Sequence, residues 1–409
     1  MKSPQIRICG DEWMDIKKLG EICTIVSGGT PSRTNTEFWD GGTIPWIKIG
    51  DIKEKHVSKA DEYITQAGLD GSSAKMLSKG TILYTIFATL GEAGILTIDA
   101  CTNQAIAGIT IKNQDEVLAD YLYYYLKSKK SYVNNLGRGV AQNNINLSIL
   151  RNLKVPLPAL PTQRQTVDIL DKTAKVIEYR QQQLQKLDDL VKARFVELFG
   201  ELDKNPYGWK LSSLGALIAS CEAGWSGTGT QRKKRDGEVA VLKVSAVTKG
   251  YFIPSECKVL DNQSNIKKYI YPQTGDLLFS RANTREMVGA TVVITEDFPE
   301  HILPDKLWKI RFVEAANVWY MKYALSSKPI RSIFSSISTG TSGSMYNVSM
   351  EKFKSIEIPL PPLNLQNQFA AFVTQTDKSK VIEAINKANI LFNITLNGGN
   401  RYDIRANEF

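Results

Sequence analysis

The chain is written twice, and that constrains its fold more than any other feature, because a missed repeat misassigns the whole architecture. Trp13 followed by Leu19-Gly20 returns as Trp209 followed by Leu214-Gly215. The strand-like run IPWIKIGDI, Ile44 to Ile52, returns as VAVLKVSAV, Val239 to Val247, with Lys48 over Lys243. GTILYTIFAT at Gly80 returns as GDLLFSRANT at Gly275. From Leu19, Lys48 and Gly80 alike, the second copy lies 195 positions further on. One match could be chance; a constant offset over three segments is not. The copies also close alike. Tyr125-Leu126-Lys127-Ser128 resembles Ala324-Leu325-Ser326-Ser327, and a Gly/Ser/Asn-rich loop follows each, LGRGVAQNNIN and STGTSGSMYNVS. Asn144 precedes Pro156-Leu157-Pro158 by the distance at which Asn347 precedes Pro359-Leu360-Pro361, and Gln163 and Gln165 match Gln366 and Gln368.

Each copy opens with short β-like runs (TILYTIF, AGITI, VAVLKV, TVVIT) and helical pieces such as ADYLYYYLKS, punctuated by glycine and proline. Each ends in a long helix, the first starting at a proline and Thr162 and unbroken by proline or glycine until Gly200. In it Leu170, Ile177, Leu184, Val191 and Leu198 fall seven apart, with Leu187 and Phe195 beside the stripe. The second helix, from about Leu363, keeps a related seam at Ile382, Ile385, Phe392 and Leu396, with Asn389 as a register-setting polar residue. A seven-residue period means a narrow seam against another helix. The expected fold class is therefore α/β: two homologous globular α/β domains separated by two long helices forming an antiparallel coiled coil. The alternative is that each helix packs on its own domain. The expected boundaries are a first domain over 1–158, a spacer helix over 159–200, a second domain over 201–361, a second helix over 362–397 and a tail over 398–409.

Hydrophobic residues make up 43% and charged residues 23%, a globular balance. The net charge of +9 suits an anionic partner, nucleic acid or an acidic membrane surface, and equally a plain basic surface. The start MKSPQIRICGDEW lacks the apolar core of a signal peptide, and no apolar run reaches membrane-spanning length. Five scattered cysteines, never in a CxxC pair, argue against a disulfide framework or zinc knuckle and fit a reducing cytoplasm.

With these residues in hand the chain resembles the specificity subunit of type I restriction–modification systems. The resemblance rests on the early tryptophan and LGE, the SGGTP loop, PWIKIGDI, the PLP-x-L-x-x-Q-x-Q entry to a long helix, LFG at Leu198–Gly200, and NPYGW restarting the pattern. It covers nearly the whole chain. It implies a protein without catalytic activity whose two target-recognition domains each read half of a bipartite, asymmetric site in double-stranded DNA. Its helices would bind two methyltransferase subunits, and two restriction/translocase subunits could join them. S-adenosylmethionine, and ATP with magnesium if restriction is present, would bind those partners. The second domain departs from the pattern: CEAGWSGTG replaces the SGGTP loop, and its PWIKIGDI counterpart lacks Pro-Trp and Gly-Asp. Two alternatives stay open: the recognition part of a fused restriction–methylation enzyme, against which Met1 and two complete repeats argue, and a duplicated protein-binding scaffold.

No catalytic or metal constellation is visible. His56 and His301 have no clustered partners, and Asn205-Pro206-Tyr207 lacks the second proline of the adenine-methyltransferase tetrapeptide and reads as a turn. Ser27, Gly28, Gly29 and Thr30 form a glycine-rich loop without GKS/T, either a phosphate-approaching turn or a plain one. Arg138, Gln142, Asn143, Asn144 and Asn146 suit base reading, since arginine pairs bidentately with guanine and Asn or Gln with adenine. A solvated loop of asparagine turns is the competing reading. Ser342, Ser344, Tyr346 and Asn347 are the second-copy equivalents. The run Arg232, Lys233, Lys234, Arg235 suits phosphates or solvent. Arg281, Asn283 and Arg285 follow a strand-like run where the first copy has the apolar Ile86–Leu90, a difference that fits different readout. Lys48 and Lys243 could contact phosphate or serve the fold.

Overall fold

The computed structural model describes residues 5–7, 13–137, 144–264, 266–340, 345–376, 385–386, 388–390 and 392–393. The chain divides into two units: one holds it up to Gln181 together with the described residues from 385 to 393, the other runs from Gln182 to 381.

In the first unit Cys23–Ser27, Ile106–Ile111, Ile82–Thr85, Ala93–Leu96 and His56–Val57 form one sheet, in that spatial order. The second unit repeats the first four places with Ile218–Ala223, Leu307–Phe312, Leu277–Ser280 and Thr291–Val293. The runs ILYT and LLFS are apolar-rich without alternation because both their faces are buried, which makes them central strands. A smaller sheet in each unit pairs Ile44–Ile47 in parallel with Cys101–Thr102, and Ala240–Leu242 in parallel with His301–Ile302. The run expected as one strand to Ile52 stops sooner. The Asp51 carboxylate accepts the Lys48 amide at 2.7 Å and closes a 3-10 turn, Ile49–Asp51; Val244–Ala246 follows Lys243 likewise.

The duplicated signatures are structural joints. Leu19 N donates to Leu153 O and Leu214 N to Ile356 O, each at 2.8 Å. Gln163, fully buried, accepts from Leu118 N and donates to Glu116 O and Pro158 O. Gln366, also fully buried, accepts from Asn317 N and donates to Ala315 O and Pro361 O. Each glutamine thus fastens the start of a long helix to the loop before a domain helix, Ala119–Ser128 or Val318–Ser326.

The long helix spans Leu160–Phe199, 40 residues, or about 60 Å at about 1.5 Å per residue. Its seam joins the domain cores as well as the second long helix. Leu170 is buried in the first unit's core and Val191 in the second's, with Leu198 packed against the latter, and each core also takes in residues of the second long helix. Ile177, Leu184 and Leu187 between them are half-buried. Within the second unit the two long helices meet: Phe195 lies 5.3 Å edge-on from Phe369, and the Arg194 guanidinium 5.9 Å from the Phe372 ring. Within the first, Val167, Leu170 and Phe392 join one core, and Phe392 sits 6.0 Å from Tyr124 as Phe195 sits 6.3 Å from Tyr323. Residue numbers rise along one helix as they fall along the other, the order of antiparallel pairing. Ile385 is half-buried; Ile382 and Leu396 lie outside the described residues. Among the described residues no helix is long and apolar enough to cross a membrane.

Candidate nucleic-acid interface

The same loop crossing is built in both units. After the strand Leu277–Ser280, Ala282 and Asn283 pair antiparallel with Asn347 and Tyr346, and Val348 N donates to Arg281 O at 2.9 Å. After Ile82–Thr85, Phe87 bridges Asn144 and Ile145 N donates to Ile86 O at 3.1 Å. In each copy the loop after this central strand and the Asn-bearing loop therefore share one ledge. Their side chains differ. In the second unit Arg281 donates to Asp305 O at 2.8 Å, and Asn283 is half-buried with its carboxamide oxygen accepting from Thr284 N. Arg285 is exposed, 5.7 Å from the Tyr346 ring centroid and hydrogen-bonded to Ser335. Arg285, Tyr346 and Asn347 thus make an arginine–aromatic–amide edge able to present planar donors to bases. Arg281 is tied down beside it.

In the first unit Asn144 is half-buried on the ledge, while Asn146 has another task. Its oxygen accepts from Ile149 N and caps the helix Leu147–Arg151, as Ser349 caps Met350–Lys354. Arg138, Gln142 and Asn143, and Ser342 and Ser344 opposite, lie outside the described residues.

The basic run divides by alternation. Arg232 forks onto Glu238 through two 2.7 Å bonds and Lys234 pairs with Glu300, whereas Lys233 and Arg235 carry exposed side chains. Lys48 pairs with Glu62 and Lys243 with Glu256. Glu62 and Glu256 are each held below the usual carboxylate range, first by that lysine's hydrogen bond. Both repeated lysines are thus engaged in partly exposed ion pairs.

Of its two readings, the glycine-rich loop packs as the plain turn. Gly28 N donates to Ile106 O and Gly29 N to Thr102 O, so neither amide is left for a phosphate. A Cβ on Gly28 would fall 2.2 Å from Thr102 O, and one on Gly29 2.4 Å from Ala74 N, which is why both are glycine. Ser27 ends the strand, and Thr30 is exposed and bonds Gln104. Asn205, with φ +39°, closes the turn onto both backbone polar groups of Trp209. Among the described residues no three His, Cys, Asp or Glu side chains gather as a metal site.

One surface residue escaped the sequence reading. Ile86–Leu90 looks merely apolar, yet Ile86 and Leu90 are buried anchors while Phe87 is 37% exposed on the ledge. Only the burial difference between neighbours marks it.

A family model for the type I restriction modification DNA specificity domain matches residues 10–189 and again 206–391. The specificity subunit of type I restriction enzyme MjaIX from Methanocaldococcus jannaschii is 28% identical over 63% of this chain and 63% of its own length. That of EcoR124I/EcoR124II from Escherichia coli is 28% identical over 44% of this chain and 48% of its own length. The EcoKI specificity subunit of Escherichia coli is 22% identical over 88% of this chain and 81% of its length. The chain thus spans about half to two thirds of the first two relatives. Among solved structures, a type I restriction–modification S subunit from M. genitalium has the same fold, with a TM-score of 0.54 at 13% identity over 97% of this chain and 98% of that one.

Proposed function

The chain belongs to the type I restriction modification DNA specificity family, and from that premise we propose that it is the sequence-reading subunit of such a complex. Each unit reads one half of a bipartite, asymmetric DNA site. The long helices dock two methyltransferase subunits and set the unread gap, and two restriction/translocase subunits join where cleavage accompanies methylation. The chain catalyses nothing itself: S-adenosylmethionine, and ATP with magnesium, belong to the partners, and the complex works in the cytoplasm.

The observation that carries this reading is a loop crossing built in both units and dressed differently: the backbone bridge sets Phe87 beside Asn144 in one and Ala282 beside Asn347 in the other, where Arg285 and Tyr346 stand next to it. A shared scaffold with unlike side chains at one ledge is what two readers of unlike half-sites require. The test is methylome sequencing of a host expressing this chain with its methyltransferase subunits, repeated after exchanging residues 209–361 for those of a relative. A split adenine-methylated motif that changes in one half only is expected. No split motif, or a change in both halves, overturns the reading.

A further inference from the structure

Phe87 stands on a loop that is fixed before any ligand arrives. Thr85, fully buried, donates its hydroxyl to Thr89 O and accepts from Glu92 N, while Gly91 N returns to Thr85 O. Ile86 N donates to Ala105 O, and Asn134 donates to Leu90 O. Ile86 and Leu90 are 3% and 1% exposed in the core, so only Phe87, Ala88 and Thr89 reach solvent. Ala88 has φ +57°, a left-handed backbone that a non-glycine residue rarely holds unless its surroundings impose it. The aromatic ring is thus held out by a strained, fully braced tip, where a polar residue would be more soluble. The matching place in the second unit holds Ala282, 1% exposed, and gives its outward contacts to Arg285 and Tyr346 instead.

Resting on the proposed function, we infer that Phe87 is a specificity-determining residue for the first unit's half-site, making an apolar contact with the 5-methyl group of a thymine in the major groove. Among base edges in that groove the thymine methyl is the apolar feature, and a rigid exposed ring suits it as no hydrogen-bonding side chain does. Asn144, whose backbone bridges that of Phe87, is the amide residue next to it on the ledge, and amides are the side chains that pair with adenine.

The experiment uses the full chain assembled with its methyltransferase subunits and the split site found by methylome sequencing. Each thymine of the first half-site is replaced in turn by deoxyuridine, which removes only the methyl group. One replacement should weaken binding by the wild-type complex about fourfold, the worth of one buried methyl. The Phe87→Ala complex should be weaker on the native site and indifferent to that replacement, and Phe87→Leu should regain part of the sensitivity. Binding that depends on the second half-site should be the same in all three, which separates a reading defect from misfolding. Indifference of the wild-type complex to every deoxyuridine overturns the inference while leaving the functional reading intact. So does a Phe87→Ala defect confined to methyltransferase assembly, or one that persists equally on all sequences. Absence of any split motif removes the functional reading, and this inference with it.

Discussion

Arg232 and Lys233 are adjacent and have opposite prospects at a DNA backbone. The Arg232 guanidinium is forked onto Glu238, and that hydrogen bond, with the Arg235 amide, holds Glu238 down to about 2. A carboxylate held below its ordinary value keeps its partner at every pH above that value and loses it only as pH falls toward about 2, so near neutrality the clamp is closed. Lys233→Ala should therefore lower the salt slope of DNA binding by roughly 1, and Arg232→Ala by much less. Glu238→Gln should steepen it by releasing Arg232. Equal slopes for the two alanine variants would show that DNA opens the clamp. The sequence displayed the basic run but not this division, since the acids responsible, Glu238 and Glu300, are set apart from one another and resemble any surface acids. The Gly28-Gly29 amides stay open between two readings in the sequence for a related reason: nothing local says which carbonyl a loop amide will face.

At the scale of elements, the repeats were readable because they are joints, and a joint must be written twice to be built twice. Gln163 and Gln366 show it best: each satisfies three backbone groups at the root of a long helix. Replacing either by leucine strands those groups in a dry site. Gln366→Leu should lower stability by roughly 3 kcal/mol, seen as a lower denaturant midpoint, and a loss under about 1 kcal/mol would mean that water takes the amide's place. The heptad seam was readable in its period and incomplete in its partners. Period alone does not distinguish a helix facing a helix from one facing a sheet domain, and here both occur along one stripe. Val191→Asp should thus unfold the second unit's core, whereas Leu184→Glu, at a half-buried position, should leave the protein folded. If both variants lose folding equally, as read by circular dichroism and midpoint, Leu184 is as much core as Val191.

For the whole molecule, the helix Leu160–Phe199 passes from one unit to the other at Gln181/Gln182, and that division fixes where an insertion should act. In the sequence the helix reads as a segment of its own, because periodicity reports continuity and not which core each turn joins. Inserting four residues between Gln181 and Gln182 leaves Leu170 and Val191 in their own cores and changes only the helix between them. The insertion adds about 6 Å of rise and about 40° beyond a full turn, so the half-buried stripe at Ile177 and Leu184 nearly keeps its face. At about 3.4 Å per base pair the added rise equals between one and two base pairs. The expected methylated motif has the same two half-sites and a gap wider by about one or two base pairs. Two inserted residues would instead turn the stripe by about 200° and should abolish activity without altering either reader. Methylome sequencing of both variants decides between a ruler and a tether: a four-residue variant that stays active with an unchanged gap means that the helix does not set the distance.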